Sequence, residues 1–197
     1  MRNLVIVVDM QRDFVLPDHA LPVPEAAGLI ASMRDWLAAL DARVIEGVLF
    51  TFDTHEPERY AASPEGAQFP IHCVRGTPGW DLVVDPADVP AAIPVWRLEK
   101  GVFDMWAEPD AAIRNARDDT APPQDREAFF AALKARGVDH VTVIGVAADF
   151  CVRWAIEGLA ARGFVVTVPA ALTRGIERPI DAVAEAHFGG MAVSVTE

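Results

Sequence analysis

Three residues in this sequence carry complementary reactive groups at equivalent places. Asp9, Lys100 and Cys151 each follow an apolar, β-prone run directly or within a few residues: LVIVV before Asp9, PVWRL before Lys100 and VTVIGV before Cys151. A deprotonated thiol is a nucleophile. A carboxylate can take the thiol proton and later pass it to a leaving group, and an ammonium favours the anionic forms of both. Together the three groups suit covalent catalysis through sulfur. On position alone they equally suit a buried inert thiol, a turn cap and a surface lysine. The cysteine segment, Val141 to Arg162, reads as strand, tight turn, cysteine and helix, with the helix predicted over 149–162 and Gly163 as its cap. A helix N-terminus carries partial positive charge that stabilises a thiolate, and its free N–H groups can hold an anionic oxygen.

A second group has the chemistry of metal ligands. Asp53-Thr54-His55 places two ligand types two residues apart at the end of the run GVLFTF, and alternation along a strand aims both side chains to one side. His72 follows seventeen residues after His55, and Glu65, seven residues before His72, offers a further carboxylate. Imidazole and carboxylate donors suit Zn²⁺, Mn²⁺ or Fe²⁺, and three protein ligands with positions left for water make a catalytic rather than a structural centre. The alternative is that each histidine is a core or solvated residue, the commoner state of a lone His.

Residues so far apart in sequence need a scaffold that gathers strand ends. Apolar runs predict strands over 4–8, 47–52, 94–98, 138–144, 164–168 and 191–195. Helical spacing predicts helices over 24–40, 124–136, 149–162 and 179–188, the first opened by Pro24 and the second closed by Gly137. This order implies an α/β fold of three layers, α/β/α, around a doubly wound, mostly parallel sheet of about six strands. Such sheets bind ligands at the carboxyl ends of their strands. Residues 10–23 and 101–123 read as loops, and the irregular stretch at about 53–94 is too long to be a mere connection.

The 197 residues are 52% apolar, enough for one domain over 1–197. A net charge of −12 argues against nucleic acid as a partner and serves solubility. No run approaches a membrane span, and MRNLVIVVDM is too short for a signal peptide. Two cysteines, Cys73 and Cys151, make no disulfide framework. A cytoplasmic chain with neither membrane nor nucleic-acid partner is expected. Nothing in the sequence marks an interface, so a homo-oligomer stays open.

Five segments resemble the signatures of the isochorismatase-like cysteine hydrolases, and within them most resemble nicotinamidases: VVDMQRDF (7–14), FTFDTH (50–55), FPIHCVRGTPGW (69–80), LEKG (98–101) and GVAADFCVRWAIEGLAARGF (145–164). The resemblance runs in order along nearly the whole chain. It implies the isochorismatase-like hydrolase fold, with Asp9, Lys100 and Cys151 catalytic. It also implies a divalent metal, zinc ahead of manganese or iron, on Asp53, His55, Glu65 and His72. A cis peptide between Val146 and Ala147 is implied, turning the Ala147 N–H toward that of Cys151 to form an oxyanion hole.

Phe14, Phe69 and Val146 are implied to border the substrate, with Phe69 standing where nicotinamidases often carry Trp. Trp80 and Trp106 depart from the family pattern and are expected to narrow or reshape the pocket, and Cys73 is read as a buried structural thiol. The implied reaction hydrolyses nicotinamide to nicotinate and ammonia through a cysteine thioester. The runner-up is a related cysteine hydrolase acting on another small amide or carbamoyl compound. An isochorismatase-type hydrolase and a non-catalytic binding module stand further off.

Overall fold

The β-branched runs become strands buried on both faces. The structure, a computed structural model, describes residues 2–197. Its strands are β1 (Asn3–Val8), β2 (Ile45–Asp53), β3 (Val95–Lys100), β4 (Ala112–Asn115), β5 (Gln124–Asp125), β6 (His140–Val146), β7 (Val165–Pro169), β8 (Thr173–Arg174) and β9 (Val193–Thr196). Among the described residues they form one nine-stranded sheet in the order β5-β4-β3-β2-β1-β6-β7-β9, with β8 beside the end of β6. The six strands from β3 to β9 in that order pair in parallel, as expected from the sequence. The edge strands β4 and β5 are antiparallel.

The helices are α1 (Arg12–Val15), α2 (Leu29–Ala38), α3 (Pro57–Tyr60), α4 (Arg126–Ala135), α5 (Arg153–Ala161) and α6 (Ile180–His187). Strand alternation sorts side chains between two cores. Leu4, Ile6 and Val8 of β1 join Phe130 of α4, Ile156 of α5 and Val183 of α6 on one face, while Val5 and Val7 join Met33 and Leu37 of α2 on the other. Each fully buried aliphatic of this kind contributes about 1.5–3 kcal/mol. Among the described residues no helix is long and apolar enough to cross a membrane.

Register carries the site. β2 and β3 pair so that Asp53 lies opposite Lys100, and β1 and β6 pair Val8 with Gly145. Gly145 has φ +117, and a Cβ there would sit 2.2 Å from the Val8 carbonyl oxygen, so only glycine lets β6 close on β1. Asp9 follows with φ 47, the left-handed region that a short polar side chain tolerates.

Four local expectations are corrected. The helix predicted over 149–162 starts at Arg153; residues 148–152 are a kinked turn in which Phe150 has φ −125 and ψ −106. The Asp149 carboxylate explains the break. Rather than capping its own helix, it accepts the N–H groups of Ile176, Glu177 and Arg178 at 2.9, 2.8 and 3.1 Å. The apolar face of Val152, Ala155, Ile156 and Leu159 is buried as its spacing predicts.

The helix predicted from Pro24 begins later, because Glu25 turns left-handed at φ 61 and a short 3₁₀ turn, Ala26–Gly28, precedes α2. Residues 101–123, read as loop, contain β4, whose Ile113 pairs with Leu98. Four residues with one fully buried position are too few for a period to show. The helix predicted from Gln124 starts at Arg126, where the Asp125 side chain caps the Ala128 N–H at 2.8 Å.

Candidate active site

The carboxyl ends of β1, β2, β3 and the turn after β6 bring together Asp9, Asp53, Lys100 and Cys151, each at most 5% exposed. The Lys100 Nζ lies 2.8 Å from Asp9 Oδ2 and 3.3 Å from Asp53 Oδ1, and donates to Cys151 Sγ at 3.4 Å. Thr51, two residues before Asp53 on the same strand, donates its hydroxyl to Asp9 Oδ1 at 2.5 Å, and its oxygen accepts the Asp9 N–H at 3.2 Å. Both bonds orient the Asp9 carboxylate. Burial works against the Lys100 charge, but Asp53 and Asp9 outweigh it and hold the ammonium well above its ordinary pKa.

Burial pushes the Cys151 thiol well up, Lys100 pulls it down, and Asp9 and Asp53 push it up again. The resting group is therefore a thiol. The helix N-terminus expected at the cysteine lies further on, because α5 begins two residues after it. Cys151 depends on a neighbouring base, and Asp9 faces it.

Beside this group, Asp53, His55, Glu65 and His72 offer four donor atoms that all lie within 4.8 Å of one another, all buried. Asp53 Oδ2 is 3.0 Å from His55 Nε2 and 3.1 Å from His72 Nε2. Glu65 Oε1 is 3.3 Å from His72 Nε2 and 3.7 Å from His55 Nε2. Neither Glu65 oxygen accepts a hydrogen bond, although both are buried. Donors about 2.1 Å from one tetrahedral ion stand roughly 3.4 Å apart, so the set fits a divalent cation.

The His72 Nδ1–H donates to the Pro70 carbonyl at 2.8 Å, which leaves Nε2 free as a ligand in the neutral ring. Burial opposes a proton on either ring, yet Asp53 and Glu65 raise His55 to about 9 and His72 to about 10. The same imidazoles and Lys100 outweigh burial to hold Asp53 well below the usual carboxylate range.

The Val146–Ala147 peptide is cis, as the resemblance implies. Among the described residues the Ala147 N–H has no protein acceptor. Phe14 stands 5.0 Å from the His72 ring, and Phe69 makes edge contacts with Phe103 at 5.9 Å and Phe150 at 5.3 Å. Val146 is fully buried in the α2-side core.

The two tryptophans stand on opposite faces of the sheet. Trp80 packs on Phe52, ring to ring at 5.2 Å, and donates its N–H to Thr54 Oγ1 at 2.9 Å. Trp106 lies on the α4–α5 face, 4.8 Å from the Phe130 ring, with the Arg162 guanidinium 3.7 Å over it. Gly158 of α5 leaves the space its indole fills. Its position in sequence, near Lys100, says nothing of which face the chain takes after β3. Cys73 is buried outside the four-donor set, and burial pushes its thiol up.

Several positioning groups escaped the sequence reading. Gln11, fully buried, accepts the Asp53 N–H and donates to the Asp53 carbonyl, both at 2.8 Å. The Tyr60 hydroxyl donates to the Phe69 and Pro70 carbonyls at 3.0 Å. Thr51 was detectable as the one polar residue in the run GVLFTF, and Phe150 as the neighbour of Cys151. Phe103 carries no local signal.

Residues 3–179 match the isochorismatase domain family. A nicotinamidase/pyrazinamidase of Mycobacterium tuberculosis is 32% identical over 177 residues, covering 87% of this chain and 86% of that protein. A nicotinamidase of Saccharomyces cerevisiae is 27% identical over 87% of this chain and 88% of its own length. The crystal structure of a pyrazinamidase of Pyrococcus horikoshii in complex with zinc superposes with a TM-score of 0.72 at 28% identity, covering 100% of this chain and 99% of that one. Matched in sequence from β1 to the threshold of α6 and in fold throughout, this chain belongs to the isochorismatase family.

Proposed function

We propose that the chain is a metal-containing cysteine amidohydrolase that converts nicotinamide and water into nicotinate and ammonia. The observation that carries this reading is the shared use of Asp53, whose Oδ1 faces the lysine beside the thiol and whose Oδ2 faces two imidazoles. Nucleophile and metal set are thereby fixed around one small volume. The two nicotinamidase relatives support the choice of substrate.

Asp9 takes the Cys151 proton as sulfur attacks the amide carbon, while the ammonium 3.4 Å from Sγ stabilises the developing thiolate. The N–H groups of Ala147 and Cys151 receive the tetrahedral oxyanion. Asp9 passes its proton to the departing nitrogen, ammonia leaves, and a thioester remains. Asp9 then takes a proton from the attacking water and returns it to sulfur as the acid is released. Phe69, Phe103 and Phe150 supply an apolar wall for the ring. A divalent ion held by Asp53, His55, Glu65 and His72 would supply a Lewis-acidic anchor for the pyridine nitrogen; zinc is the first choice. A free thiol suits a reducing compartment such as the cytoplasm.

The wholly phenylalanine wall favours one second reading, hydrolysis of another small amide or carbamoyl compound by the same groups. Steady-state turnover of a panel of amides by metal-replete protein separates the two. The first reading expects the highest kcat/KM for nicotinamide and no turnover by Cys151→Ala. An absence of nicotinamide turnover in protein carrying one metal per chain overturns it.

A further inference from the structure

A cavity of about 530 Å³ opens beside the metal set: His55 and Lys100 line it, while Asp9 and Cys151 do not. Its walls carry the carboxylates of Glu56, Glu99, Glu108 and Asp110 against the guanidiniums of Arg59 and Arg75. Arg75 spans from one wall to the other, its Nε 3.0 Å from Glu56 Oε1 and its other end paired with Glu99. The four donor residues behind are themselves at most 4% exposed, and the buried Glu65 carboxylate accepts no hydrogen bond. A cation bound for those donors therefore needs a path through the protein, and this is a polar, acidic opening with a ligand, His55, in its wall.

We infer that the cavity is the loading route by which a divalent cation reaches Asp53, His55, Glu65 and His72, with Arg75 as a removable bar across it. This rests on the metal reading above. The carboxylates concentrate cations at the mouth. Arg75 neutralises two of them when closed, and its side chain is half exposed, so its pairs open at small cost. Once Arg75 swings away, Glu56 and Glu99 are released to face the incoming ion.

The test follows Zn²⁺ uptake by chelator-stripped protein and Zn²⁺ release to a chromophoric chelator. Arg75→Ala is expected to speed both by roughly five- to tenfold and to leave their ratio within about twofold, because two exposed ion pairs are lost and no ligand is touched. Glu108→Gln with Asp110→Asn is expected to slow uptake about threefold at low ionic strength and to match the parent at high salt. Glutamine keeps the carbonyl that accepts the Gly101 N–H at Glu108, and circular dichroism verifies that each variant is folded. Parental rates in both variants overturn the route while leaving the metal site intact. A stripped parent that takes up no Zn²⁺ overturns the metal reading itself.

Discussion

Asp53 turns one carboxylate oxygen to Lys100 at 3.3 Å and the other to His72 at 3.1 Å. One charge thus serves both the thiol's cation and the metal donors. Asp53→Asn is expected to lower metal affinity by more than the roughly 10–100-fold that losing a mere support of a ligand costs, and also to move the pH profile of Cys151 alkylation to lower pH, since Asp53 helps to hold that thiol up. Glu65→Gln is expected to lower metal affinity comparably and leave the alkylation profile unmoved. Metal titration and iodoacetamide labelling followed by intact mass measure the two effects separately.

Lys100 works against the upward shift of Cys151. Lys100→Met is expected to move alkylation to higher pH and to cut kcat about 10³-fold or more. It also leaves the buried Asp9 carboxylate without its cation, so urea unfolding is expected to show a loss of about 3–5 kcal/mol. Cys151→Ala is expected to abolish turnover with no comparable loss of stability.

Metal and protons compete for His55 and His72. With folded-state values raised from 6.5 to about 9 and about 10, both rings are protonated at pH 7.5 in the metal-free protein. A ligating imidazole is neutral, so metal uptake at that pH is expected to release about two protons. Calorimetry in buffers of different ionisation enthalpy counts them. The shifts are upward, so the stabilisation they bring to the metal-free protein is complete below pH 6.5 and is lost as pH rises through about 9 and then about 10. Urea unfolding of stripped protein across that range is expected to show the decline, and loaded protein a flatter profile.

Trp106 offers a test of the helix face on which it was found. Trp106→Ala is expected to cost about 2–3 kcal/mol, a little below the loss from a fully buried ring, and to leave KM unchanged. Gly158→Ala is expected to destabilise by about 1–3 kcal/mol, because its Cβ would lie 2.0 Å from the indole nitrogen. Melting curves and substrate kinetics on the two variants check both statements.

The strands were legible because a β-branched run such as Leu4–Val8 carries its own burial pattern, and α5 because Val152, Ala155, Ile156 and Leu159 recur at helical spacing. Residue types at strand ends also marked Asp9, Asp53, His55, Lys100 and Cys151, since a sheet of this kind gathers those ends whatever lies between. Two further results were beyond any local pattern. The turn before α5 breaks because Asp149 binds backbone 27 to 29 residues away. Phe103 and Phe150 become neighbours because the chain after β3 folds back over the turn after β6.

The sequence by itself determined the alternation of elements and the chemical groups available, because both are written in spacing and residue type over a few residues. Only the tertiary structure decided that Asp53 joins lysine to imidazoles, that the thiol rests protonated, and that Trp106 faces helices rather than the site. Those outcomes depend on strand register, on burial and on charges brought close from distant parts of the chain, and none of these is a property of any short segment.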